Sequence, residues 1–207
     1  MELQLVEEHT IAVLSDDNRK VLDVGCRHFD FALEMCNNDY EVCCVEADKN
    51  VDQTPFFDRV KFIHAALVPE SENLQLKTLY TFGNGTANHL ADVRGANPKN
   101  KQVQKVTGRS LTNLSNIFEV EHWSVIKLDC EGSEYCVLLE WPGPISDQIT
   151  VEFHEHTNAN TDGEYVYDNI IKHLSQWYTL IQHEKSTRHC ISTPNYWDSL
   201  LVLTKLL

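Results

Sequence analysis

Between Lys20 and Val68 the chain repeats a pattern that few architectures accommodate. A short, mainly apolar run, Val21-Leu-Asp-Val24, ends at Gly25. Phe29, Leu33 and Cys36 follow at helical spacing, and Asn37-Asn38-Asp39 stops them. A second apolar run, Tyr40 to Val45, ends on Glu46-Ala-Asp48, and a third fills Val60 to Val68 before Pro69. Strands this apolar are covered on both faces, and a connection that crosses back between them makes them parallel. The pattern predicts an α/β fold, a doubly wound and mostly parallel sheet.

The same rhythm returns in the second half. Ser124 to Leu128 reads as a strand, Ser133 to Glu140 as a helix stopped before Pro142, and Gln148 to Phe153 as a strand. Gly163 to Trp177 has the spacing of a longer amphipathic helix, and Tyr178 to His183 with Trp197 to Leu203 form an antiparallel closing pair. Between the halves, Leu74 to Phe82 reads as a strand, 83–102 as a long polar loop, Val103 to Val106 as a short strand and Ser110 to Phe118 as a serine-capped helix. Residues 3–14 mix apolar and acidic positions and are expected to form a leading helix within 1–19. The full 207 residues suit a single domain.

Charge narrows the partners. Thirty-one acids against 17 bases, a formal net charge of −14, argue against a broad basic surface for nucleic acid. Met1 to Glu8 has no basic segment leading into an apolar one, and no apolar run approaches the roughly 20 residues that span a bilayer. Seven cysteines with no CxxC pair read as reduced thiols in a cytoplasmic setting and give no zinc-finger framework. The expected partner is a small molecule or carbohydrate, with neither nucleic acid nor membrane involved.

In an open parallel sheet the ligand crevice lies outside the carboxyl ends of the strands. Gly25 ends one such strand, and Asp23 just before it can accept a hydrogen bond. Glu46 follows Asp23 by 23 positions, at the end of the next strand, where an acid can receive ribose hydroxyls. Gly25 continues as Cys-Arg-His-Phe-Asp30, so neither GxGxxG nor a P-loop is present. A nucleoside without phosphate fits that exit better than a dinucleotide or a nucleoside triphosphate. Further on, Asp129, Glu131 and Glu134 crowd the end of a central strand; Glu134 reads mainly as a helix-capping acid. Alternation places Glu152, His154 and His156 on one side of another strand end. There His154 is a candidate proton acceptor. With Asp129 the cluster has metal-ligand chemistry, as a metal-dependent hydrolase would need, but no metal is assigned.

Several of these segments also carry a family resemblance. Val21-LDVGCRHFDFAL-Glu34, Val45-EAD-Lys49, His64-AAL-Val68, Val106-TGRSLTNL-Ser115, Ile126-KLDCEGSEYCVL-Leu139 and Val151-EFH-Glu155 resemble, in order and spacing, the FkbM family of methyltransferases. The stretch Lys127 to Leu138 is the most specific. The resemblance implies a Rossmann-like methyltransferase fold with S-adenosylmethionine as cofactor. The implied reaction is O-methylation of a hydroxyl on a sugar or small natural product. It further implies that Asp23, Gly25 and Cys26 lie under the methionine part, Glu46 holds the ribose, and Ala65 and Ala66 border the adenine. Asp129 and Glu131 would face the transferring methyl group, with His154 or Glu131 as base, and Gly83 to Asn88 would cover the site. The family form continues after the first glycine with Asn and a second Gly, where this chain has Arg27 and Phe29. That departure motivates the alternative of a methyltransferase-like binding module with impaired catalysis.

Overall fold

A computed structural model describes residues 1–14, 17–56, 58–81, 88–91, 102–154, 163–185 and 196–207. Its centre is a seven-stranded sheet. In chain order the strands are β3 (Lys20–Val24), β4 (Glu41–Glu46), β5 (Val60–His64), β10 (Trp123–Leu128), β11 (Ser146–His154), β12 (Tyr178–Lys185) and β13 (Tyr196–Leu203). Their spatial order is β12-β13-β11-β10-β3-β4-β5. Strands β11, β10, β3, β4 and β5 pair in parallel, and β13 enters antiparallel between β11 and β12. This is the expected mostly parallel sheet with its antiparallel closing pair.

Alternation divides the apolar side chains between the two faces. On one face Leu22, Val24, Val45, Ile126, Leu128, Ile149 and Val151 meet α2 (Leu111–Phe118), α3 (Glu134–Leu139) and α4 (Gly163–Leu174). On the other, Val21, Val42, Cys44 and Val125 meet α1 (Asp30–Asn37) through Phe31, Ala32 and Met35. Helix α2 starts as read from sequence, with the Ser110 hydroxyl accepting from the Asn113 amide. No helix among the described residues is long and apolar enough to cross a membrane.

The leading segment is a correction. Glu2–Val6 (β1) and His9–Val13 (β2) form an antiparallel hairpin, not a helix. Its turn is Glu7-Glu8, with Glu7 in the left-handed region at φ 50°, so the glycine or asparagine that usually betrays such a turn is missing. An isolated two-stranded hairpin is marginal in water and needs a surface to dock on. The buried Gln148 of β11 supplies it: its amide oxygen accepts from Ala12 N at 2.6 Å and its amide nitrogen donates to Ala12 O at 3.0 Å.

A second, smaller sheet fills the connection between the halves, in the order β6 (Ala66–Leu67), β9 (Gln102–Arg109), β7 (Leu76–Thr81) and β8 (His89–Leu90). Of the stretch read as a polar loop, 88–91 and 102 are described and contribute β8 and the first residue of β9; the remainder lies outside the described residues. Asp48, just past β4, ties the small sheet to the large one by accepting from Gln104 Nε2 at 2.7 Å and Asn88 Nδ2 at 2.9 Å.

Gln148→Ala leaves both polar groups of Ala12 without their buried partner. The expected loss is about 2–3 kcal/mol of stability, with faster amide exchange confined to β1 and β2. Urea denaturation followed by hydrogen exchange measures both.

Candidate functional site

Sequence order runs outward from β3 through β4 to β5, then returns to β10 on the opposite side of β3. The carboxyl ends of β3 and β10 therefore flank the switch point at which a doubly wound sheet opens a crevice. A cavity of about 730 Å³ lies there, lined by Asp23, Gly25, Cys26, Glu46, Ala65, Ala66, Asp129, Glu131 and His154 among others. Every site residue read from sequence that the structure describes faces this one space. His156 and Gly83 to Ala87 lie outside the described residues.

Cross-strand register brings the charges together. Asp23 on β3 stands opposite Lys127 on β10, and Lys127 stands opposite Thr150 on β11. Lys127 is buried, with Nζ 3.1 Å from Asp23 Oδ1, 3.6 Å from Asp129 Oδ2, and donating to Gly25 O at 2.9 Å. Burial opposes the ammonium, but Asp23 and Asp129 prevail and hold its pKa above the ordinary lysine value. Burial also lifts the Asp23 carboxyl above its usual range, against the pull of Lys127.

Gly25, at φ 79°, owes its glycine to packing. A Cβ there would stand 1.8 Å from the carbonyl oxygen of Asp129, so the strand exits press together too closely for any side chain. Phe29 lines the cavity, and its ring is almost wholly buried, 4.9 Å from Phe56 and 5.7 Å from Phe62. A left-handed backbone at φ 63° turns it into the core at a conformational cost of roughly 1 kcal/mol. Its bulk is taken up by packing.

Glu46 is buried, and its Oε1 accepts from Asp48 N at 2.8 Å; burial raises its pKa. Ala65 sits beside it, its amide donating to Glu46 O at 3.0 Å. Burial raises the Cys26 thiol well above its usual value, which leaves it a packing residue rather than a nucleophile.

The β10 exit is held by a residue that sequence reading treated as a cap. Glu134 Oε2 accepts from Gly132 N at 2.8 Å, as a capping acid does. Its Oε1 also accepts from His154 N at 2.9 Å and meets His154 Nδ1 at 3.0 Å. The other ring nitrogen, Nε2, lies 3.6 Å from Asp129 Oδ1 and 3.8 Å from Glu131 Oε2. Burial works against a charge on this ring, but Glu134, Glu131 and Asp129 outweigh it and push the pKa up to about 10. Both ring nitrogens of His154 thus face carboxylates, which favour its charged form. Glu131 takes φ 52° ahead of Gly132 at φ 102°, a strained turn that aims its carboxylate at the cavity. Burial, then the charge of Asp129, raises Glu152 to about 8.

Two walls were largely not legible in the sequence. Glu7, Glu8 and His9 come from the hairpin, and Leu79, His89 and Leu90 from the small sheet, while Asn88, the end of the stretch expected to cover the site, also lines the cavity. No local spacing connects either segment to a strand end of the large sheet.

No family model matches the chain, and no curated protein matches it in sequence. Solved structures match its fold. The fibrillarin pre-rRNA processing protein of Methanococcus jannaschii superposes with a TM-score of 0.54 at 9% identity, over 98% of this chain and 70% of that one. A "putative hemolysin" from Streptococcus thermophilus gives 0.55 at 14%, over 93% and 61%. A "putative DNA modification methyltransferase" of an E. coli prophage gives 0.51 at 9%, over 90% and 47%. The chain thus matches between 47% and 70% of the length of these proteins. At such identities the likeness establishes the fold alone, and that fold is the Rossmann-like methyltransferase fold.

Lys127→Met leaves Asp23 buried without its cation and is expected to cost about 3–5 kcal/mol. Adding Asp23→Asn should recover part of this, a coupling of about 2 kcal/mol in a double-mutant cycle read by chemical denaturation.

Proposed function

We propose that this chain is an S-adenosylmethionine-dependent methyltransferase of the FkbM kind, acting in the cytoplasm on a hydroxyl of a sugar or small natural product. The observation that carries this reading is the charge of the cavity at the switch point. Eight carboxylate residues line it against two permanent cations, Arg27 and Lys127, and Lys127 is already engaged by Asp23. Such a wall favours a cationic ligand over a phosphate-bearing one. The start of α1 points the same way: Asp30, in its first turn, lines the cavity where a phosphate would otherwise seek the helix N-terminus.

The residues present fit the cofactor. Glu46, at the end of the strand beside β3, is the acceptor for ribose hydroxyls. Ala65 and Ala66 are small and apolar, as the edge of an adenine ring requires. Asp23 Oδ2 is buried with no hydrogen-bond partner among the described residues, under the methionine end. When bound, S-adenosylmethionine supplies a methyl group on a positive sulfur, which passes to the acceptor oxygen as the hydroxyl proton is lost.

The chain's own contribution is alignment and charge. Asp129 and Glu131 place carboxylates where a positive sulfur is stabilised, and Glu131 is the group positioned to receive the acceptor proton. His154, fixed by Glu134, stands 3.6 and 3.8 Å from these two acids and offsets their charge. Arg27 supports a second reading. It is a permanent cation on the cavity wall where the family has Asn, and it favours a module that binds the nucleoside without turnover.

Titration calorimetry with S-adenosylhomocysteine is expected to show one site with a Kd in the micromolar range. Glu46→Ala should weaken it at least about tenfold, roughly the 1.4 kcal/mol of one lost charge-assisted hydrogen bond. No heat at high micromolar ligand overturns the proposal. Binding with no methylated product across a broad panel of hydroxyl compounds favours the second reading.

A further inference from the structure

The wall between the hairpin and the large sheet holds a group of side chains of which the cofactor reading uses only Asp129. His9 comes from β2, Asp129 from the exit of β10, and Glu152 from β11. One nitrogen or oxygen ligand atom from each lies within 4.8 Å of the other two. Atoms that share an ion at about 2.1 Å lie roughly 3–4 Å apart, so these three atoms stand close to ligand spacing. We propose that His9, Asp129 and Glu152 form a binding site for a divalent transition-metal cation such as Mn²⁺ or Zn²⁺.

The backbone explains how three residues so distant in sequence converge. Asp23, Lys127 and Thr150 are neighbours across β3, β10 and β11, and alternation carries their face on to Asp129 and Glu152 two residues later. The hairpin, clamped by Gln148, lays His9 over that polar stripe. Thr150 Oγ1 lies 3.3 Å from His9 Nδ1 and sets the angle of the ring, as a neighbouring hydroxyl or carboxylate commonly does for a metal-binding imidazole. His9 and Glu152 are buried while the Asp129 side chain is 30% exposed, and all three line the cavity. The site is therefore walled on the protein side and open toward the space where water or a substrate oxygen completes the coordination.

Glu152 stands directly opposite Asp198 on β13, which places a further carboxyl group next to the set. The cations already nearby stand off from Asp129: Lys127 Nζ is 3.6 Å from Oδ2 and His154 Nε2 is 3.6 Å from Oδ1, both beyond hydrogen-bond distance. One imidazole and two carboxylates make a mixed nitrogen and oxygen set, suited to Mn²⁺, Fe²⁺ or Zn²⁺ better than to Ca²⁺.

The site shares Asp129 with the proposed methyl transfer, but it needs only the three side chains and no nucleoside. If that reading holds, an acceptor hydroxyl on the ion would be acidified, which a carboxylate base alone does poorly.

The test uses the full chain, stripped with a chelator and free of nucleoside, titrated with Mn²⁺ and followed by electron paramagnetic resonance. One Mn²⁺ per chain is expected, with nitrogen coupling from an imidazole in the pulsed spectrum. Glu152→Gln, which keeps the shape and removes a charge, should weaken the affinity more than about tenfold. His9→Gln should abolish the nitrogen coupling, and Zn²⁺ should displace Mn²⁺ from the parent protein. Absence of stoichiometric binding, or parental affinity in both folded variants, overturns the site. Because no nucleoside is present, failure here leaves the calorimetric test of the methyltransferase reading untouched, and the reverse also holds.

Discussion

A lysine ammonium buried at the centre of a parallel sheet organises this molecule. Lys127 lies where β10 runs beside β3, with Asp23 at 3.1 Å and the Gly25 carbonyl at 2.9 Å. A charge so placed is tolerable only with its partners fixed, and fixing them brings the two strand exits together. The close approach in turn excludes a side chain at residue 25. It also leaves Asp129 and Glu131 on the rim of the crevice. The ion pair, the glycine and the shape of the cavity are consequences of one packing problem.

Around that centre the acids have distinct tasks set by their surroundings. Glu134 is spent on backbone and imidazole, and so fixes His154. Glu46 is held by the turn at Asp48 and still faces the cavity. Glu152 is buried beside Asp129 and opposite Asp198. The same residue type thus stands in three different settings within one crevice, with burial and neighbours making the difference. The net charge of −14 is therefore concentrated in part at the cavity.

Much of the large sheet was legible because its strands are short apolar runs bounded by clear stops. Val21 to Val24 before Gly25, and Gln148 to Phe153, are examples. Such segments carry their burial in their composition, and the Ser110 cap carries its helix start in one side chain. Residues 3–14 failed for a corresponding reason. Their turn is built from Glu7 and Glu8, whose side chains give no turn signal, and their amphipathic pattern is satisfied only when Gln148 docks them. The placement of Phe29 was not legible, because sequence gives a residue's size but not its direction, and a left-handed backbone sends the ring into the core.

The amino-acid sequence by itself determined the sheet, its doubly wound order and the cluster of acids at its strand ends, since strand register follows from local apolar periodicity. It also carried Glu46 and Asp129 to the crevice, because strand ends are where such a sheet binds. The tertiary structure alone decided what those acids do. Whether His154 is base or imidazolium depends on three carboxylates, two of them from the β10 exit and one from α3. Whether Asp129 and Glu152 meet an imidazole depends on a hairpin more than a hundred residues away. Charge interactions act through space over a few ångströms, and no spacing along the chain records which segments will come that close.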